Sequence, residues 1–154
     1  MSEIKVKVGD RAPEFEGPTT NGSKLGSRDF IGKQNVVLYF YPKDDTPGCT
    51  REACSFRDNI AEIRKMGAEV VGVSLDSIVS HEKFTTKYGL PFPLISDKEK
   101  QIAEAFGVLK ETGTSANRTT FIIDKQGKIA KVFPKVDVSK HTEEVVTALK
   151  QLAS

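Results

Sequence analysis

The stretch Val36-Val-Leu-Tyr-Phe-Tyr-Pro-Lys-Asp-Asp-Thr-Pro-Gly-Cys49 decides how the chain is read. Its first six residues form an apolar run with the look of a buried strand, and Pro42 ends it. Beyond the loop, Ala53, Phe56, Ile60 and Ile63 recur at helical spacing, which predicts a helix from about Cys49 or Thr50 to Gly67. A buried strand that runs through a tight polar loop into an amphipathic helix begins an α/β unit.

Working outward, Glu69 to Leu75 reads as the next strand. Ser77 or Ser80 caps a helix that runs to about Tyr88, before Gly89. Phe92 to Ser96 reads as a short strand, and Ile102, Ala105 and Phe106 as part of a helix ended by Gly107. Lys110 to Asn117 is a polar loop. Thr119 to Asp124 and Ile129 to Phe133 flank Lys125-Gln-Gly-Lys128 as an antiparallel hairpin. A last helix spans about Thr142 to Leu152, with Val145, Val146, Leu149 and Leu152 on one face. Toward the N-terminus, Ile4 to Val8 reads as a short strand, Phe15 to Leu25 as a hairpin turning at Asn21-Gly22, and Ser27 to Ile31 as a short helix. The order β-α-β-α-β-α, then a hairpin and a helix, implies an α/β sheet with parallel crossovers and an antiparallel edge. In such sheets ligands sit beyond the carboxyl ends of the strands, and the loop after Tyr41 leaves one of those ends.

The composition sets limits. With 154 residues, 38% of them hydrophobic and 29% charged, the expectation is one domain over residues 1–154 that needs no staples. Lys and Arg number 23 against 21 Asp and Glu, a net charge of +2, and no block of one sign stands out. That gives no electrostatic case for nucleic acid or membrane binding. The first residues lack the apolar run of a signal peptide, and no stretch approaches the length of a membrane span. The expected setting is therefore the reducing cytosol, where two cysteines are more often catalytic or metal-binding than a permanent staple.

Those cysteines, Cys49 and Cys54, are the chain's only two. Cys49 follows Pro47-Gly48 and falls in the first helical turn, where unpaired N–H groups and the helix dipole favour a thiolate. A lone cysteine is commonly a small buried hydrophobe, but the tight polar turn around it speaks for a reactive thiol. Cys54, five residues on, is rotated by about 140° and raised by about 7.5 Å on an ideal helix. Its Cα would lie roughly 9 Å from that of Cys49, beyond disulfide reach. A bond between them therefore requires the first turn or two to unwind. On spacing alone, Cys54 reads as well as a core residue. A Cys-x-x-Cys motif is absent, and a zinc site would need His81 and His141 at unsuitable distances. Both histidines read as surface or capping residues. Asp44 and Asp45 lack the spacing of an aspartyl phosphotransferase and read as solvated turn residues. No metal or cofactor is expected.

Pro42-x-x-x-Thr46-x-x-Cys49 resembles the active-site motif of the peroxiredoxins. The longer string Tyr39-Phe-Tyr-Pro-Lys-Asp-Asp-Thr-Pro-Gly-Cys-Thr-x-Glu-Ala-Cys54 resembles the bacterioferritin comigratory protein, or Q-type, branch. Val73-Ser-Leu-Asp-Ser77, His81-x-Lys-Phe84, Leu90-Pro-Phe-Pro-Leu94 and Arg118-Thr-Thr-Phe-Ile-Ile-Asp124 extend the resemblance from Val8 to the final helix. It implies a thioredoxin-like fold and a thiol peroxidase acting on hydrogen peroxide and alkyl hydroperoxides. Cys49 would be the peroxidatic cysteine and Cys54 the resolving cysteine, and thioredoxin or a related dithiol protein would reduce the resulting disulfide. Members are often monomers and others form dimers, so the resemblance implies a monomer or a weak dimer, and the sequence itself does not choose.

The remaining site residues take their roles from the same resemblance, each beside a plainer reading. Thr46 can accept from the peroxide or donate to the sulfur, and is also a suitable N-cap. Arg118 can favour the thiolate and hold the peroxide oxygens, though alone it reads as a solvated charge. Pro42 can shield the sulfur from water or simply terminate the strand. Glu52, expected in the first helical turn, can orient the arginine or merely complement the dipole. Three other functions use the same residues: a redox sensor that oxidises once, a disulfide oxidoreductase, and a structural module with an incidental thiol.

Overall fold

The structure is a computed structural model that describes residues 4–20 and 22–153. A two-stranded hairpin comes first, β1 (Glu16–Pro18) with β2 (Lys24–Gly26), and a 3-10 turn follows at Ser27–Asp29. The main sheet is formed by β3 (Asn35–Phe40), β4 (Ala68–Ser74), β5 (Leu94–Ser96), β6 (Thr119–Ile123) and β7 (Ile129–Phe133) in the order β5-β4-β3-β6-β7. The first three run parallel, while β6 and β7 are antiparallel. The helices are α1 (Pro47–Lys65), α2 (Ile78–Tyr88), α3 (Gln101–Phe106) and α4 (His141–Ala153).

Alternation along β3 divides the interior in two. Val36, Leu38 and Phe40 join Val71, Val73, Phe121 and Ile123 in one cluster, closed by Phe15, Phe30 and the α3 residues Ile102, Ala103 and Phe106. Val37, Tyr39 and Tyr41 face the other way, against Cys49, Ala53, Phe56 and Ile63 of α1, Phe84 of α2, and Val145 and Leu149 of α4. Gly72 of β4 lies under this second cluster. A Cβ there would come within 2.9 Å of the Tyr39 ring and 2.7 Å of Leu94, so only glycine lets the ring lie against the sheet.

Helix ends follow local chemistry. Ser77 caps α2 by accepting from the Ser80 N–H at 3.1 Å, and Gly89 closes it in the left-handed conformation at φ 60°. Asp97 reaches past the start of α3 to accept from the N–H groups of Ile102 and Ala103.

Two expectations need correction. Ile4 to Val8 is not a strand. Lys5 N–H donates to the Phe106 carbonyl at the end of α3, so the segment faces a helix end and not a strand. Secondly, α1 begins at Pro47, two residues before Cys49, because proline is well suited to the first helical position. The Asn21-Gly22 turn falls partly outside the described residues. Among the described residues no helix is long and apolar enough to cross a membrane.

Candidate active site

The loop from Pro42 to Thr46 leaves the carboxyl end of β3 and delivers α1. Thr46 occupies the N-cap position with extended backbone, and its carbonyl accepts from Thr50 N–H at 2.8 Å. Its hydroxyl makes no cap bond. It donates to the Lys43 carbonyl at 2.8 Å, so what remains toward a substrate is acceptor capacity. Pro47 and Gly48 are the first two helical residues and Cys49 the third. The thiol thus sits in the first turn, among the N–H groups the helix leaves unpaired.

Cys49 is 1% exposed. Arg118, just before β6, donates from Nη2 to Cys49 Sγ at 3.3 Å and from Nη1 to Glu52 Oε1 at 2.9 Å. The guanidinium thus lies beside both a sulfur and a carboxyl in a water-poor setting. Gly48 makes this approach possible. A Cβ at position 48 would sit 2.9 Å from Arg118 Nη2.

Glu52 lies in the second turn of α1, not the first, and is 1% exposed. Burial pushes its carboxyl up to about 7, against the pull of Arg118. Among the described residues its Oε2 is buried with no hydrogen-bond partner. The expected pairing of Glu52 with an arginine is present, one turn farther along the helix than the sequence suggests.

Cys54 is half-buried on α1, and both thiols are free. Because Cys49 and Cys54 lie in one continuous helix, their Cα atoms are roughly 9 Å apart by helical geometry, too far for a disulfide. Pro42 is half-buried, two residues past the end of β3. The structure thus brings Cys49, Glu52 and Arg118 into contact, places Thr46 at the head of their helix, and leaves Cys54 on another side of it.

Three residues that read as ordinary surface groups are buried instead. Asp44 accepts from Tyr41 Oη at 2.6 Å and from Ser80 Oγ at 2.8 Å, and pairs with His81 Nδ1 at 2.6 Å. His81 is fully buried, its Nε2 bonded to the Ile95 carbonyl at 3.0 Å. His141, 1% exposed, opens α4 with Nε2 against Thr120 Oγ1 at 2.8 Å. Burial and then Arg118 push His141 down to about 4, so it is neutral. No local pattern marks these partners, which lie 37 and 21 residues apart. Asp45 is exposed as expected, bonded to Lys87 and Tyr88.

Among the described residues, Asp44, Asp76 and His81 bring ligand-type atoms within 4.8 Å of one another. Those atoms are already engaged: Asp76 Oδ2 accepts from Ser74 Oγ and from Asp44 N–H, and the Asp44 oxygens are bonded as above.

The chain is similar to known proteins over most of its length. Residues 8–132 match the model of the AhpC/TSA family. The chain is 47% identical over 152 residues to a putative peroxiredoxin bcp of Coxiella burnetii, covering 95% of this chain and 100% of that one. Its structure resembles the peroxidoxin BcpB of Mycobacterium tuberculosis at a TM-score of 0.90, with 34% identity over 96% of this chain and 99% of the other. It also resembles the bacterioferritin comigratory protein of Xanthomonas campestris, described for its alkyl peroxide reduction activity, at a TM-score of 0.88, with 33% identity over 99% and 100%. With its mixed sheet, flanking helices and a cysteine in the first turn of a helix, the chain belongs to the AhpC/TSA family, as a thioredoxin-like peroxiredoxin of the bacterioferritin comigratory protein, or Q-type, branch.

Proposed function

We propose that this thiol peroxidase reduces hydrogen peroxide and alkyl hydroperoxides through Cys49 and resolves the product through Cys54. The contact of Arg118 with both Cys49 Sγ and Glu52, at the first turns of α1, carries the reading. The Cys49 thiolate attacks the nearer peroxide oxygen. An S–O bond forms, the O–O bond breaks, and the departing hydroxide or alkoxide takes up a proton. Arg118 balances the charge on sulfur and on the leaving oxygen. Thr46 accepts a hydrogen bond from the protonated peroxide oxygen. Pro42, which has no N–H, lines the loop without offering a competing donor.

The resulting Cys49 sulfenic acid is attacked by Cys54 sulfur. An S–S bond forms, the S–O bond breaks, and water leaves after protonation. Both cysteines are helical in the reduced state, so the first turns of α1 must open for this step. A dithiol protein of the thioredoxin type then supplies two electrons and two protons. The whole chain acts as one domain, and a reducing compartment such as the cytosol suits this cycle.

The test is single-turnover peroxide consumption. Cys49→Ser should consume no peroxide. Cys54→Ser should consume one equivalent and then stop without an internal disulfide. Full activity in Cys49→Ser would refute the assignment. Repeated turnover with thioredoxin separates a peroxidase from a sensor that oxidises once.

A further inference from the structure

We propose that Asp44 and His81 are positioning residues for the peroxide step: they fix the loop between β3 and α1 onto α2, so that Cys49 is presented to Arg118. The proposal rests on the peroxidase reading above and extends it to residues that touch neither cysteine.

The loop from Pro42 to Thr46 has few apolar anchors of its own. Its anchor is Asp44, whose side chain is 3% exposed. Both oxygens of that carboxylate are used, on Tyr41 Oη, Ser80 Oγ and His81 Nδ1. The Asp44 backbone N–H goes to Asp76 Oδ2 at 2.9 Å. His81 is held from its far edge by the Ile95 carbonyl of β5. The loop is thereby tied at one point to the ends of β3, β4 and β5 and to α2. A buried carboxylate with all its partners made is costly to disturb, because each lost partner leaves a desolvated group unpaired.

The next residue transmits that anchor to the helix. Asp45 adopts φ 56°, an uncommon conformation for a non-glycine residue, and both its oxygens are bonded to α2, to Lys87 Nζ at 2.8 Å and to Tyr88 Oη at 2.9 Å. Thr46, the N-cap, follows immediately. Farther along α1, Arg57 Nη1 donates to the Tyr88 carbonyl at 2.7 Å. Between these ties, from Pro47 to Cys54, the side-chain hydrogen bonds of α1 among the described residues run to Arg118. The segment that must open for Cys54 is thus bounded at its start by bonds to α2 and beyond Cys54 by Ser55 against Thr142 of α4 and Arg57 against α2, with the Asp44–His81 pair at its root. Weakening that root should misplace Cys49 and slow the peroxide step. It should also free the helix start, leaving the disulfide step as fast or faster.

The experiment follows both steps in the reduced full-length protein after rapid mixing with one equivalent of hydrogen peroxide. Peroxide loss reports the first step, and quenched mass analysis of the Cys49–Cys54 disulfide reports the second. Asp44→Asn keeps the shape and removes the charge; Ser80→Ala removes one donor from α2. Ser77→Ala, which weakens the α2 cap without touching the pair, is the control and should leave both rates within about twofold. In Asp44→Asn the first step should slow by about fivefold or more while the second does not slow, and Ser80→Ala should move the first step the same way by about twofold to threefold. A simple loss of folded protein would slow both steps together. A folded Asp44→Asn with a first step within twofold of the parent overturns the proposal. If Asp44→Asn does not fold, an unchanged first step in Ser80→Ala overturns it. A parent protein that leaves peroxide intact overturns the peroxidase reading itself, an outcome distinct from both.

Discussion

The two faces of the sheet are built from one strand yet differ in kind. Toward α3, β3 offers Val36, Leu38 and Phe40, and the space is filled by carbon: Phe106 packs its ring against Phe15, Phe40 and Phe121, with centroids 4.9 to 6.4 Å apart. Toward α1, the same strand offers Val37, Tyr39 and Tyr41. There the interior also holds Cys49, Glu52, His81, His141 and Thr120, and among the described residues Tyr39 Oη, Glu52 Oε2 and His141 Nδ1 have no hydrogen-bond partners. Both faces hold apolar core, and one of them is closed by the rings around Phe106. The other carries polar groups that stability alone would not select, since a buried polar atom without a partner costs free energy.

That contrast can be broken most severely on the apolar face. Phe106→Ala removes a fully buried ring and should cost about 3–5 kcal/mol in denaturant unfolding. The molecules that remain folded should react with peroxide at a rate within about twofold of the parent. A loss of reactivity per folded molecule would mean that the two faces are not separate in function.

The polar face should show itself through pH. Glu52 binds its proton more tightly folded than unfolded, so the stability it contributes is full below pH 4.5 and is lost as pH rises through about 7. His141 is the reverse: its contribution is full above pH 6.5 and is lost as pH falls through about 4. A tenfold difference in proton affinity between the folded and unfolded chain is worth about 1.4 kcal/mol, so each group contributes about 3 kcal/mol at most. Glu52→Gln should flatten the fall between pH 4.5 and 7, and His141→Gln the fall between pH 6.5 and 4, in unfolding curves measured across that range. Unaltered pH profiles in both variants would remove the electrostatic account of this face.

Finer still is the approach of Arg118 to the helix start. Gly48→Ala would push a methyl to 2.9 Å from Nη2, at the flexible end of the arginine. Stability should barely change, whereas the peroxide step should slow by roughly tenfold as the Arg118–Cys49 contact is displaced. The smallest effect belongs to Ser77→Ala on α2, which should cost about 1 kcal/mol by loss of its cap bond and leave the chemistry alone.

Much of this is legible in the sequence, and the gaps have physical reasons. The strand at 36–41, the helix after it, Ser77 and Gly89 at the ends of α2, and the final hairpin are all carried by local pattern. So is the place of Cys49 in a first helical turn, because a helix start is a local event. The pairing of Arg118 with Cys49 and Glu52 spans 69 and 66 residues, and only the family resemblance announces it. Asp44 and His81 are not legible, because an aspartate and a histidine look solvated until the fold brings them together. Ile4 to Val8 has strand composition, but the neighbour that meets it is a helix end. The helix start itself has a local signal in Pro47-Gly48, since proline favours the first position.

The most direct test of the central claim is to add one equivalent of hydrogen peroxide to the reduced protein and count thiols and mass. Fast loss of both thiols is expected, with a monomer lighter by two hydrogens and a disulfide between Cys49 and Cys54. Slow reaction with both thiols still free would contradict it, and would leave the Arg118–Cys49 contact as structure without this chemistry.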